Sequence, residues 1–215
     1  MSVWRTAINA LNLQTTPPLP ENPRPIVVIG AGGIVNDAHL PAYRQAGFAV
    51  TGIFDLDEEQ ARKTAVSFNI PSIYPALETA VAESPTNAVF DVAVPAAALP
   101  KILPLLPNGA GVLIQKPMGA SLAEARSILE LCQQKELKAA VNFQLRYAPF
   151  VLAAHSLIEQ GVIGELLDVE VRVNVFTPWH LWEYLEGVAY AELYYHSIHY
   201  LDYIRYCLGN PRGVF

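Results

Sequence analysis

Pro25-Ile-Val-Val-Ile-Gly-Ala-Gly-Gly-Ile-Val35 decides how the rest of this 215-residue chain is read. Four consecutive apolar residues, Ile26 to Ile29, predict a strand buried on both faces, as in a parallel sheet covered by helices. Gly30, Ala31, Gly32 and Gly33 follow with no polar spacer and predict a tight turn into a helix. The start of such a helix offers unpaired N–H groups and the positive end of a dipole, and the glycines let a phosphate approach the main chain. The ligand that suits this arrangement is a dinucleotide. Gly30 and Gly32 fill the first two places of the fingerprint G-x-G-x-x-G/A, but Val35 stands at the third, so the match is partial. An ordinary strand-to-helix turn would carry the same glycines.

Outward from this turn, Phe48-Ala-Val-Thr-Gly-Ile-Phe54 predicts a second strand that ends on Asp55. A carboxylate at that place can accept hydrogen bonds from the adenosine ribose hydroxyls and would repel the additional phosphate of NADP, so the expected cofactor is NAD rather than NADP. Asp55 or Asp57 could instead cap the following helix. His39, just past the glycine turn, could face the cofactor or be a hydrogen-bonded structural histidine.

The remaining order of elements alternates. A helix over Asn36 to Ala46 is interrupted by Pro41, and Asp57-Glu-Glu opens another that runs to Phe68. Ser72 to Tyr74, Ala88 to Val94, Gly111 to Ile114 and Lys138 to Phe143 predict strands, separated by helices over Leu77 to Glu83, Ala96 to Leu106 and Ser121 to Lys135. Ser121 and Glu124 have capping-box spacing. Such alternation predicts a doubly wound parallel sheet with helices on both faces, over residues 25–141. The ligand crevice of such a sheet lies at the carboxyl ends of its strands, which brings Val94 and Pro95 to the cofactor border.

Residues 1–24 read as an extension, with a short helix over Val3 to Leu11 and a proline-rich stretch, lying on the main domain or on a partner subunit. From Asn142 the pattern changes. A helix from Ala148 to Gln160 precedes Leu166 to Phe176, whose alternation predicts a long strand with one wet face; an aromatic loop (Trp179, His180, Trp182, Tyr184) and a helix over Ala191 to Leu208 follow. Residues 142–215 therefore predict an α+β domain that is incomplete, since one strand and one helix do not bury each other's apolar faces.

Composition bounds the partners. Hydrophobic residues make up 52% and charged residues 16%, which excludes a disordered chain, and the net charge of −6 with no basic run argues against nucleic acid or an anionic membrane. Only Cys132 and Cys207 occur, so neither a disulfide framework nor a thiolate zinc site is expected. No signal-peptide pattern and no membrane-length apolar run is present, and the expected location is the cytoplasm.

Two groups can carry chemistry. Lys116 follows the strand Gly111 to Ile114 on the cofactor side, presented by Pro117; a desolvated lysine there can exchange a proton with a substrate oxygen, whereas a solvated surface lysine would do nothing. On the last helix Tyr195, His199, Asp202 and Tyr206 share a stripe at about 100° per residue, with Asp202 placed to orient the His199 ring. A histidine so held suits a general base for alcohol oxidation; the same stripe also suits a face hydrogen-bonded to its neighbours. His196, His199 and Asp202 have ligand-like spacing but lack a third histidine or cysteine, and no metal is expected.

The turn GAGGIVNDAHLPAY, Asp55, QKP at 115–117, NFQLRYAP at 142–149 and HSIHYLDYIRYCLG at 196–209, in this order, resemble the Gfo/Idh/MocA family of NAD(P)-dependent sugar and polyol oxidoreductases. The resemblance implies a Rossmann domain followed by an open-sheet domain that covers a sugar or cyclitol and builds a homo-oligomer. It also implies hydride transfer between the nicotinamide and a hydroxyl-bearing carbon. Lys116 matches the lysine of the family's E-K-P, and His199 the histidine that exchanges the hydroxyl proton. Gly30, Gly32, Gly33, Ile34, Asp55, Val94, Pro95 and Lys116 would then hold the cofactor, with Lys116, Arg146, His196 and His199 at the substrate. Gln115 replaces the usual Glu, and Tyr195 stands where many members carry Asp, with Tyr195 or His196 as a substitute partner for His199. Relatives continue past Phe215, so the chain reads as a truncated member, whose alternative role is a dinucleotide-binding regulator or an inactive remnant.

Overall fold

The computed structural model describes residues 11–177, 188 and 190–214. The helix expected over Val3 to Leu11, save its last residue, and the aromatic loop at Trp179, His180, Trp182 and Tyr184 lie outside the described residues. Contacts divide the chain into two compact units, Leu19–Asn142, and Met1–Pro18 with Phe143–Phe215.

The first unit is built on a parallel sheet of β1 (Ile26–Ile29), β2 (Val50–Phe54), β3 (Ser72–Ile73), β4 (Val89–Val92), β5 (Gly111–Ile114) and β6 (Lys138–Val141). The spatial order is β3-β2-β1-β4-β5-β6, and the reversal of winding falls between β1 and β4. Side chains alternate across a strand, so β1 feeds two cores. Val27 and Ile29 join Phe54, Phe90, Val92, Val112 and Ile114 on one face, while Ile26 and Val28 join Val35, Leu40, Ile53 and Ala65 on the other. The first face is covered by α3 (Leu77–Glu83), α4 (Leu99–Ile102) and α5 (Leu122–Gln134), and the second by α1 (Leu40–Ala46) and α2 (Glu58–Phe68). This is why Ile26 to Ile29 are apolar without alternation.

Caps and breaks follow local chemistry. Asp57 caps α2 by accepting the Gln60 N–H at 3.1 Å, so the capping role open to two aspartates belongs to Asp57. Ser121 accepts the Glu124 N–H at 3.2 Å, but Glu124 reaches back to the Ala120 N–H at 2.7 Å, one residue before its capping-box partner. Pro41 has no N–H to give, and the turn ahead of α1 widens: Val35–His39 is a π turn closed by the Leu40 N–H on the Val35 carbonyl. The single helix expected over Ala96 to Leu106 is broken into the 3₁₀ turn Ala96–Ala98, α4 and the 3₁₀ turn Leu103–Leu105, because Pro100 and Pro104 remove donors from it.

In the second unit α6 (Pro149–Glu159) begins on a proline at its first turn. The Gln14 N–H donates to Ser156 Oγ at 3.0 Å and Gln160 Nε2 to the Asn12 carbonyl at 3.1 Å, so residues 11–18 of the extension are tied to α6 and belong to this unit, whereas residues 19–24 belong to the sheet domain. Two expectations fail here. Residues 166–176 form no strand, since among the described residues no neighbouring strand offers them a ladder, and alternation alone does not make one. The last helix is also not uniform: Leu193–Ser197 is a π turn that leads into α7 (Ile198–Leu208). Wider winding through Tyr195 breaks the about 100° step on which a shared Tyr195 and His199 stripe depended.

Candidate functional site

Ile29 pairs with both Phe54 and Val92, and Val92 pairs with Ile114, so β2, β1, β4 and β5 end level with one another. The residues that follow, Gly30, Asp55, Ala93 to Pro95 and Gln115 to Lys116, therefore line one rim of the sheet. Gly30 is held there by close approach: its φ is +106°, and a Cβ would lie 2.4 Å from the Ala93 carbonyl oxygen and 3.4 Å from Val94 Cγ1. Gly32 differs. A Cβ on it would meet nothing within 4 Å, so packing places no demand for glycine, and the open space above the turn is where a phosphate would approach. The Val35 and Asn36 N–H groups return to the Gly32 carbonyl, which leaves Gly33 and Ile34 as the helix-opening donors without an intrahelical acceptor. Ile34 is exposed, whereas Val35 is fully buried and packs in the core where a small residue was expected.

Polar side chains clamp the turn. Asn36 Nδ2 donates to the Ala31 carbonyl at 2.8 Å while its Oδ1 accepts from Thr64, and Gln60 Nε2 reaches the same carbonyl at 3.0 Å. Asp55 Oδ2 accepts the Ala31 N–H at 2.6 Å and Oδ1 the Asp57 N–H at 2.8 Å. The turn and the end of β2 are thus one preorganised unit, and the residues fit a dinucleotide.

Lys116 is half-buried at the end of β5, and desolvation pushes its ammonium below the ordinary lysine value. Gln115 Oε1 accepts the Lys116 N–H at 2.8 Å. Behind it lies a buried cluster that the sequence did not disclose: His39 Nδ1 is 2.8 Å from Asp91 Oδ2, Tyr43 donates to the same oxygen at 3.0 Å, and Asn142 Nδ2 is 3.0 Å from His39 Nε2. His39 is therefore a hydrogen-bonded buried residue. The available signal was Asp91 itself, an acid in the middle of the apolar run Ala88 to Val94.

In the second unit the expected roles are redistributed. Arg146 grips Asp202 with two hydrogen bonds of 2.6 and 2.5 Å and lies 4.8 Å from the Tyr206 ring centre. Asp202 is buried and raises the guanidinium's proton affinity. The acid expected to orient His199 is thus engaged by Arg146. His199 meets Phe143 edge to face at 6.0 Å, and His196 Nδ1 lies 3.3 Å from Glu192. His155, which the sequence did not single out, packs against Tyr206 with ring centres 4.3 Å apart and planes tilted by 46°, and lies 3.9 Å from Cys207 Sγ. Among the described residues no three acids, histidines or cysteines gather as metal ligands, and no helix is long and apolar enough to cross a membrane.

The model of an oxidoreductase family with an NAD-binding Rossmann fold, Gfo/Idh/MocA, matches residues 24–143. The chain belongs to this family. It is 28% identical over 154 residues to glucose-6-phosphate 3-dehydrogenase of Bacillus subtilis, covering 68% of this chain and 41% of that protein. It is 24% identical over 194 residues to the galactose/lactose metabolism regulatory protein GAL80 of Saccharomyces cerevisiae, covering 81% and 45%. Its fold is similar to that of an oxidoreductase from Agrobacterium radiobacter solved with NAD+, L-tartaric acid and magnesium, with TM-score 0.69, 20% identity and coverage of 88% and 56%. The chain spans about half the length of the curated relatives it matches.

Proposed function

We propose that this Gfo/Idh/MocA chain holds NAD at the turn Gly30 to Val35 and serves hydride transfer at a hydroxyl-bearing carbon of a sugar or cyclitol. The observation that carries the reading is Asp55, fixed to the turn through the Ala31 N–H with acceptor capacity left over for ribose hydroxyls. Its charge opposes the extra phosphate of NADP. Gly32, Gly33 and Ile34 offer main-chain N–H groups and open space to the pyrophosphate, and Val94 and Pro95 border the nicotinamide end. The bound dinucleotide supplies a hydride acceptor or donor.

Alcohol oxidation couples hydride loss from carbon to proton loss from oxygen. Lys116, whose ammonium is disfavoured by burial, takes one proton-handling role, and His199 takes the other, with Arg146 and His196 at the substrate. The small-molecule substrate matches the sugar dehydrogenases among the relatives, and a homo-oligomer is the expected assembly.

A second reading, a dinucleotide-binding regulator without turnover, is favoured by one observation: Arg146 engages the carboxylate expected to orient His199. A relative named as a regulatory protein supports it. Calorimetric titration with NAD, followed by NADH absorbance with a panel of sugars and inositols, separates the two. Turnover abolished by Lys116→Ala and by His199→Ala, with NAD binding kept, supports the enzyme; NAD binding with no turnover on any substrate supports the regulator.

A further inference from the structure

We propose that His39 is a positioning residue for Lys116, acting through Gln115 from the buried acid Asp91. This rests on the proton-handling role of Lys116 given above. The hydrogen bonds favour one arrangement of protons. The Lys116 main-chain N–H can only donate, so the Gln115 oxygen faces it at 2.8 Å and the Gln115 amide group is turned the other way, 3.5 Å from His39 Nε2. Asn142 Nδ2, a second amide donor, sits 3.0 Å from the same nitrogen. Two donors require Nε2 to be bare, and the proton of a neutral ring must then be on Nδ1, where Asp91 Oδ2 accepts it at 2.8 Å. Tyr43 adds its hydroxyl to that oxygen at 3.0 Å.

Each link thus has one donor and one acceptor, from Lys116 through Gln115 and His39 to Asp91. Asp91 is fully buried and on the rigid centre of the sheet, and His39 is 6% exposed, so the chain is anchored in the part of the unit least able to move. Partners that hold a functional group in place are commonly of this kind. Gln115 is essential to the logic: a carboxylate at 115 would offer only acceptors and would need a proton on Nε2, converting His39 to an imidazolium.

The test is hydrogen exchange of the Lys116 amide together with the ring nitrogen spectrum of His39, measured on this chain. The wild type should show a neutral ring protonated on Nδ1, and Gln115→Glu a ring protonated on both nitrogens. His39→Phe removes the contacts to Asp91, Gln115 and Asn142, and the Lys116 amide should exchange about five to ten times faster, as loss of one hydrogen bond behind Gln115 implies. His39→Gln, which restores an acceptor toward Gln115, should recover protection. If the phenylalanine variant does not fold, His39→Asn keeps a donor for Asp91 but is too short to reach Gln115, and the same acceleration is expected with amides of β1 unchanged. In variants that turn over, kcat should fall while NAD affinity holds. A wild-type ring protonated on Nε2, or a Lys116 amide indifferent to residue 39, overturns the proposal. Turnover indifferent to Lys116→Ala would instead defeat the role of Lys116 and leave the exchange result to decide the chain of bonds.

Discussion

The Ala31 main-chain N–H donates to the Asp55 carboxylate across 2.6 Å, tying the glycine turn after β1 to the end of β2. A second N–H, from Asp57, holds the other oxygen at 2.8 Å. An ionised carboxylate has about four acceptor sites, so it can serve its own loop and still receive two ribose hydroxyls.

Asp55→Asn keeps an acceptor for the loop but loses the charge. NAD affinity should fall about tenfold, the scale of a hydrogen bond to a charged group, and discrimination against NADP should narrow. Calorimetric titration of both dinucleotides checks this.

The two glycines of the turn should separate fold from ligand. Gly30→Ala drives a methyl into the Ala93 carbonyl from a backbone of positive φ and should cost roughly 3 kcal/mol or more in urea unfolding. Gly32→Ala meets open space, and its stability should change by less than about 1 kcal/mol while NAD binding weakens.

Lys116 predicts a pH dependence. Burial lowers its folded-state pKa, so between that value and the ordinary lysine value of about 10.4 the unfolded chain binds the extra proton and stability rises with pH. Lys116→Met should therefore unfold at a higher temperature than wild type at neutral pH, and the gap should close as pH approaches about 10. A gap that widens instead would contradict the burial of this amine.

Arg146 and Asp202 make an asymmetric pair, Asp202 being 6% exposed and Arg146 36%. Arg146→Ala strands a buried carboxylate and should cost about 3 kcal/mol, whereas Asp202→Ala leaves a guanidinium that reaches water and should cost about 1 kcal/mol. Urea melts of the two variants would show the order.

The sheet was legible in the sequence where burial on both faces removes all alternation, as at Ile26 to Ile29, because a strand covered on both faces is apolar throughout and the glycines that follow at once leave no room for a helix. The rim was legible too, since Gly30, Asp55, Pro95 and Lys116 each follow such a run. What periodicity could not supply was the winding of residues 193–197, where an i to i+5 turn replaces the expected i to i+4 one. Nor could it supply partners distant in sequence. His39 meets Asp91 across 52 positions and Arg146 meets Asp202 across 56, so Asp202 read as the neighbour of His199 on the helix when its bonds go to another segment. Leu166 to Phe176 has a strand's alternation, yet a ladder needs a second strand.

The central claim, a NAD site with catalytic lysine, is tested most directly by titrating this chain with NAD and then following NADH formation with sugars and inositols in wild type and Lys116→Ala. The account predicts NAD bound by both proteins, more tightly than NADP, and turnover by the wild type alone. Failure of the wild type to bind NAD, or equal turnover by the two proteins, would contradict it.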